Sequence, residues 1–101
     1  LQNGRWQDRQ LIPENWVQQS TQPLVDTRTG FHYGYQWWRF SDDHTAVANL
    51  TTNDLYFAWG FGGQFIFVIP HLDLVIVTTA ENFEDSEQFF AVLGPILAAI
   101  E

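Results

Sequence analysis

The longest apolar runs of the chain lie between Tyr56 and Ala80 and predict the centre of a β-sheet. Residues 64–69 read QFIFVI and residues 74–79 read LVIVTT, so both faces of each predicted strand are largely apolar. Residues 70–73, Pro-His-Leu-Asp, have the composition of a turn. The pattern therefore predicts an antiparallel hairpin in the core, with residues 64–69 as a central strand.

A third strand is predicted over residues 31–40, which are rich in aromatic residues on both faces. Within it, Gly34 marks either a bulge or a close approach of two backbones. The polar residues 1–9 indicate the end of a helix and a turn at Asn3-Gly4, and residues 21–30 and 41–54 indicate loops.

Two helices complete the predicted elements. Pro13–Ser20 indicates a short helix with Pro13 at its first position and Glu14 in its first turn, where the helix dipole favours a carboxylate. Asp85 and Gln88 resemble a capping box. After that box, apolar residues recur at helical spacing, namely Phe89, Leu93, Ile96, Leu97 and Ile100. Gly94-Pro95 predicts a kink near Ala91.

The predicted fold class is therefore α/β in the α+β sense, within one domain over residues 1–101. An antiparallel sheet of about three strands carries a C-terminal helix and a short N-terminal helix packed on it. Hydrophobic residues make up 46% of the chain and aromatic residues 17%, which is enough for a packed core.

Charge and composition exclude several function classes. Twelve acidic residues against four arginines give a net charge of -8, which disfavours nucleic acid and anionic membranes as partners. No apolar run approaches the roughly 20 residues that span a bilayer. The chain has no cysteine and no lysine, so thiolate metal sites and amine catalysis are excluded, and no metal or cofactor is expected.

The residues available for catalysis do not form a recognisable triad. The candidate nucleophiles and bases are Ser20, Ser41, Ser86, His32, His44 and His71. None of the serines lies in a nucleophile elbow or a Ser-x-x-Lys motif, and the histidines lack metal-ligand spacing. The aromatic cluster Tyr33, Tyr35, Trp37 and Trp38 is a candidate stacking platform, although core packing is the commoner role for aromatic residues of a sheet.

A glycine-rich stretch, residues 58–63, leads directly into the predicted central strand. Gly60, Gly62 and Gly63 allow the backbone to approach a ligand closely, and a free N–H there can point at an oxyanion. The alternative is a β-bulge that needs glycine conformations. Composition alone favours the β-bulge.

In this stretch the chain resembles the C-terminal part of the serine β-lactamase and penicillin-binding-protein-like hydrolases, in the class C-like branch of esterases and nylon-oligomer hydrolases. The resemblance lies in the order and spacing of five segments: residues 3–6 (NGRW), 11–17 (LIPENWV), 33–38 (YGYQWW), 58–70 (AWGFGGQFIFVIP) and 72–77 (LDLVIV).

The resemblance implies a partial β-lactamase/transpeptidase-like fold and a set of site residues. Ala58-Trp59-Gly60 falls at the place of the family's Lys-Thr-Gly motif, of which only Gly60 is kept. The backbone N–H of Phe61 falls at one donor of the oxyanion hole. Substrate-binding positions are therefore expected at Ala58, Trp59, Gly60, Gly62 and Gly63, and Ala58 in place of lysine argues against recognition of a β-lactam carboxylate.

The family's Ser-x-x-Lys motif and its proton-transfer tyrosine lie earlier in the full-length chain. The sequence is therefore expected to be a C-terminal fragment of a serine hydrolase that acts on an ester, amide or peptide bond in a small-molecule or peptide substrate. Alone it is expected to be inactive and to self-associate, because apolar sheet surface is left bare. The alternative is a non-catalytic binding or structural module that keeps only the sheet fold. The resemblance also implies the bacterial periplasm or cell envelope as location.

Overall fold

A computed structural model describes residues 1–41 and 54–100. The strands are β1 (Arg5–Trp6), β2 (Arg9–Gln10), β3 (Val25–Asp26), β4 (Phe31–Gly34), β5 (Trp37–Phe40), β6 (Tyr56–Gly60), β7 (Gln64–Ile69) and β8 (Leu74–Thr78), and the helices are α1 (Glu14–Ser20) and α2 (Phe90–Ile100). Strands β3 to β8 form one sheet in sequence order, and β1 pairs with β2. The fold is α+β, as predicted.

Every neighbouring pair in the larger sheet is antiparallel, and its register assigns each side chain to one of two faces. Phe67 lies opposite Phe57 on one side and opposite Ile76 on the other. Because side chains alternate along a strand, these three residues share one face, and Trp59 and Phe65 join them. This face forms the core.

Helix α2 covers the core face. Its side chains Phe90, Leu93 and Leu97 are buried against the sheet. The ring of Phe90 lies 5.1 Å from that of Phe65 and 5.3 Å from that of Trp59, centroid to centroid. The C-terminal helix is thus packed on the sheet as predicted. Of the predicted stripe, Leu93 and Leu97 are buried and Ile100 is exposed, and Phe90, which was not part of that stripe, is buried.

The opposite face, which we call the open face, lacks such a cover within the described residues. Ile66 and Val77 lie on it as paired neighbours of β7 and β8, and Val75 lies two residues from Val77. All three are exposed, Val77 to 65%. Ala58 and Gly60 of β6 are on the same face. The open face is therefore apolar and accessible at these three residues of β7 and β8, whereas Val68 on the same face is buried.

The predicted sheet of about three strands was too small, since the described part of the chain forms six strands in this sheet. The single strand expected over residues 31–40 is two strands, β4 and β5, joined by Tyr35 and Gln36. Both joining residues have positive φ, 45° and 71°, which is the requirement of a type I′ hairpin turn. The usual Asn-Gly signal is absent from the sequence there, so composition did not reveal the turn.

Gly34 marks a close backbone approach and not a bulge. A Cβ built on Gly34 would lie 2.9 Å from Leu24 Cγ and 3.0 Å from the Gln22 carbonyl oxygen. The β4–β5 register continues through the residue without interruption. The interpretation of Gly34 as a close approach of two backbones is therefore confirmed.

Three N-terminal expectations need correction. Residues 1–9, expected as a helix end, contain β1, which pairs with β2 in a two-stranded hairpin, although the turn at Asn3-Gly4 is present. The loop over residues 21–30 contains β3. Helix α1 forms as predicted, but Pro13 lies at its N-cap instead of its first position. No residue of α1 is buried by the described chain, and its Trp16 ring contacts Tyr35 at 5.4 Å.

The capping box predicted before the C-terminal helix forms only at Asp85, whose Oδ1 accepts the Glu87 N–H at 3.1 Å, and its Gln88 part is wrong. Helix α2 begins at Phe90, and residues 86–89 form turns. The Gln88 side chain bonds the Asn82 amide, and Asn82 Oδ1 accepts the Asp85 N–H at 3.2 Å. In a capping box the Gln88 side chain would accept the backbone N–H of Asp85, but here Asn82 accepts it. Helix α2 contains Pro95, and the kink near Ala91 stays a prediction.

Candidate functional site

Strand β6 brings three of the predicted site residues to the end of the sheet. Ala58 pairs with Ile66, Trp59 with Phe65 and Gly60 with Gln64. Trp59 faces the core, whereas Ala58 and Gly60 face the open side. The two small residues leave backbone accessible at this end of the strand.

The turn after β6 needs its glycines for conformation. Phe61, Gly62 and Gly63 connect β6 to β7, and the Gly63 N–H donates to the Gly60 carbonyl at 3.4 Å. Gly62 has φ +89°, the value that the third residue of a type II turn requires, and Gly63 has φ +99°. The β6–β7 pairing is unbroken up to Gly60, so the glycines form a hairpin turn and not a β-bulge.

Phe61 is the second residue of this turn. The turn's own hydrogen bond leaves from the Gly63 N–H and does not use the N–H of Phe61. Its side chain is 74% exposed, and its ring lies 5.2 Å from that of Phe83, centroid to centroid. The predicted oxyanion donor thus lies in a fixed turn with its side chain outside the core.

A segment that follows β8, residues 79–83, runs beside the turn and is called here the flanking segment. The Gln64 side-chain amide donates to the Ala80 carbonyl and accepts the Ala80 N–H at 3.1 Å. The Asn82 N–H donates to the Gly62 carbonyl at 2.9 Å. From β8 itself, the Thr78 hydroxyl donates to the Gly63 carbonyl at 3.0 Å. Two turn residues, Gly62 and Gly63, and the first residue of β7, Gln64, are therefore hydrogen-bonded to residues 78–82.

A groove of about 590 Å³ lies against β6, and Ala58, Trp59 and Gly60 all line it. Its remaining lining residues are Tyr33, Gln36, Trp38, Gln64, Phe65, Ile66, Val77, Thr78 and Thr79. None of these twelve carries a charge at neutral pH. Gly63 lines a separate cavity of about 350 Å³, which Asp85 and Phe89 also line. A third cavity, of about 500 Å³, is lined by Gln64, Thr79, Ala80, Glu81 and Phe83.

The charged groups of the sheet lie at the other end of β6. Arg39 Nε donates to the Leu55 carbonyl at 3.3 Å. Burial lowers the pKa of the Arg39 guanidinium, and nearby Asp54 and Tyr56 partly oppose that change. Burial likewise raises the pKa of the Tyr56 phenol, which Arg39 lowers in part and Asp54 raises further. These groups lie beside the start of β6, away from its Gly60 end.

The serines and histidines within the described residues do not assemble into a triad. Ser20 ends α1, and its hydroxyl donates to the Val17 carbonyl at 3.3 Å. His71 Nδ1 lies 2.7 Å from Asp54 Oδ1, and the His71 backbone N–H donates to Asp54 Oδ2, also at 2.7 Å. His44 lies outside the described residues. The same is true of Asp42-Asp43, which lack the ligand spacing of a calcium loop, and of Asn49-Leu50-Thr51, which matches the short glycosylation sequon.

The aromatic cluster divides between core and surface. Trp38 packs against the core, and its ring lies 4.4 Å from that of Tyr33. Trp37 lies on the open face and contacts the ring of Tyr56 at 5.0 Å, edge to face. Tyr35, in the hairpin turn, is exposed. Packing therefore accounts for Tyr33 and Trp38, whereas Trp37 and Tyr35 lie outside the core.

Sequence reasoning missed Gln64, Asn82 and Phe83 as neighbours of the site. The sequence predicts Gln64 only as the first residue of a strand, and it gives no prediction for residues 81–84. The position of Gln64 directly after the glycines was a signal that it belongs to the site, because a polar side chain at a turn often forms a hydrogen bond with nearby backbone. Its partner, Ala80, is 16 residues away, and only the β7–β8 pairing brings it close.

No group of three metal-ligating side chains occurs among residues 1–41 and 54–100. In the same ranges, no helix has the length and apolar character to cross a bilayer. Comparison of the chain with family models, with curated proteins and with solved structures gives no match.

Proposed function

We propose that this chain is the C-terminal lobe of a serine hydrolase related to the β-lactamases. One observation supports it most directly. Strand β6 ends at Gly60 beside an uncharged groove, and the turn that follows leaves the Phe61 N–H out of its own hydrogen bond. A donor on a rigid turn next to a groove is the arrangement that an oxyanion hole needs.

The chemistry assigned to this lobe is stabilisation of charge. A serine supplied by another part of the protein attacks the substrate carbonyl, and negative charge develops on the carbonyl oxygen. The Phe61 N–H donates to that oxygen, which contributes about 2.7 to 4 kcal/mol of transition-state stabilisation. Because the backbone provides the donor, the side chain of Phe61 is free to contact the acyl group.

The groove also supports a choice of substrate class. Its described lining residues are uncharged, and Ala58 occupies the position where the related enzymes carry lysine. A substrate carboxylate would find no cation there to replace its lost hydration. We therefore assign an ester, amide or peptide bond with a neutral acyl group to this site, in preference to a β-lactam.

The proposal is tested by trapping an acyl-enzyme. The full-length protein that contains these residues is mixed with p-nitrophenyl esters and with nitrocefin, quenched, and analysed by intact and peptide mass spectrometry. We expect an ester-derived acyl group on the serine of a Ser-x-x-Lys motif outside residues 1–101. We also expect no burst of product from the 101-residue chain, which has no lysine and no placed nucleophile.

A non-catalytic binding module is the second candidate, and the apolar open face favours it. The exposed side chains of Ile66, Val75 and Val77 form a surface suited to a protein partner. Absence of any Ser-x-x-Lys motif in the full-length sequence, together with no acyl adduct, would reject the hydrolase and support this module.

A further inference from the structure

We infer that Gln64 is a positioning residue that holds the oxyanion donor in place through the flanking segment. The inference rests on the proposed function, because it assigns a role relative to the Phe61 N–H. It concerns a side chain that does not itself meet the reacting atoms.

The side-chain amide of Gln64 makes a pair of hydrogen bonds with the backbone of Ala80, as the backbone of a neighbouring β-strand would. Its Nε2 donates to the Ala80 carbonyl, and its Oε1 accepts the Ala80 N–H. Nε2 also lies 3.5 Å from the Phe61 carbonyl oxygen. One side chain thus connects the turn to the flanking segment and occupies both polar groups of Ala80.

The flanking segment in turn holds the peptide groups next to the donor. The Asn82 N–H bonds the Gly62 carbonyl, and the Phe83 ring lies against Phe61. A Cβ on Gly62 would be 2.7 Å from Phe83 Cε1, so backbone and ring are in close contact. Displacement of residues 80–83 would therefore move the peptide between Gly60 and Phe61, which carries the donor.

Loss of the Gln64 amide releases this arrangement. Leucine in its place leaves the N–H and C=O of Ala80 without those partners, so both groups must form hydrogen bonds with water instead. The flanking segment moves away from the turn, and the donor loses its orientation. A misplacement of about 1 Å can cost on the order of a hundredfold in rate.

A double-mutant cycle in the full-length enzyme tests the inference. The variants are Gln64→Leu, Phe61→Pro, which removes the donor N–H, and both together, with Gln19→Leu on exposed α1 as the matched control. We expect Gln64→Leu to lower kcat by about tenfold or more with little change in KM, because donor orientation matters in the transition state. In the Phe61→Pro background, Gln64→Leu should lower kcat no further, since no donor remains to be positioned.

The outcomes separate this inference from the proposed function. Full kcat in Phe61→Pro overturns the proposed function and the role of Gln64 with it. If Phe61→Pro lowers kcat and the double variant shows the product of the two single losses, the role of Gln64 is overturned and the proposed function stands. If Gln64→Leu does not fold, Gln64→Glu replaces it. That variant keeps an acceptor for the Ala80 N–H but turns a carboxylate toward the Ala80 carbonyl, so the same loss is expected.

Discussion

At the scale of single residues, Gly62 combines a left-handed backbone with a steric contact. Its φ of +89° strains any residue with a Cβ, and that Cβ would meet the Phe83 ring. We expect Gly62→Ala to lower the free energy of unfolding by about 1 to 3 kcal/mol, measured by denaturant titration.

The double variant Gly62→Ala/Phe83→Ala separates the two causes. Removing the ring relieves the contact and leaves the backbone strain, so part of the loss should persist relative to Phe83→Ala alone. A Gly62→Ala chain as stable as the wild type would show that the turn does not hold this conformation.

Ionisation of Tyr56 makes the free energy of unfolding depend on pH in the alkaline range. Burial raises the pKa of its phenol above the ordinary value of 10.0, so the neutral form is favoured in the folded state. That stabilisation is fully present below the unfolded pKa and is lost as pH rises through the folded pKa.

We expect the wild-type minus Tyr56→Phe absorbance difference to titrate with a midpoint above 10.0. We also expect unfolding midpoints of the wild type to fall more steeply than those of Tyr56→Phe above that pH. A difference midpoint at or below 10.0 would contradict the burial of this phenol.

At the scale of elements, the β4–β5 hairpin carries two non-glycine residues with positive φ. Gln36, at φ 71°, lies at the second turn position, where glycine is preferred. Because the left-handed region costs roughly 1 to 2 kcal/mol for residues with a Cβ, we expect Gln36→Gly to raise the free energy of unfolding by about 1 kcal/mol. Gln36→Ala, the matched control, keeps the Cβ and should give no such gain by thermal or chemical unfolding.

The sequence predicted elements well where side-chain patterning determines them. Strand β7 and helix α2 bury their own apolar residues, and β8 packs Leu74 and Ile76 against the core. Both strands lie at the predicted positions, whereas α2 begins at Phe90, later than the predicted cap at Asp85. The two-residue turn at Tyr35-Gln36 carries no glycine, and β3 is two residues long, so neither left a local signal. Strand β6 was expected only through the resemblance, because Ala58 and Gly60 interrupt its apolar pattern.

The candidate site was predictable only where it depends on local sequence. The need for glycine at residues 62 and 63 follows from backbone conformation, which composition suggests. The partners of that turn, Ala80, Asn82 and Phe83, come from a segment that only the pairing of β7 with β8 brings near it. Their positions depend on the assembled sheet and not on any local pattern.

At the scale of the whole molecule, the open face and the edge strand β8 predict self-association of the isolated chain. Within the described residues β8 is an edge strand, and edge strands without charges pair readily with other chains. Val75 and Val77 of β8 are also exposed on the open face. We expect the 101-residue chain to sediment as a dimer or larger species and to bind a hydrophobic dye.

Val77→Lys should shift this equilibrium to monomer, since a charge on the edge strand opposes pairing. Val92→Lys, on the exposed surface of α2, is the matched control and should leave association unchanged. A wild-type chain that sediments as a monomer and binds no dye would refute self-association.

The central claim is that the Phe61 backbone N–H is an oxyanion donor, and comparison of Phe61→Pro with Phe61→Ala in the full-length protein tests it most directly. Proline suits the second position of a β-turn, where Phe61 has no positive φ, and it removes the N–H alone from the backbone. Alanine keeps the N–H and removes the ring. We predict that Phe61→Pro lowers kcat for ester hydrolysis by about 10²- to 10³-fold relative to Phe61→Ala. Equal kcat values in two folded variants would contradict the account.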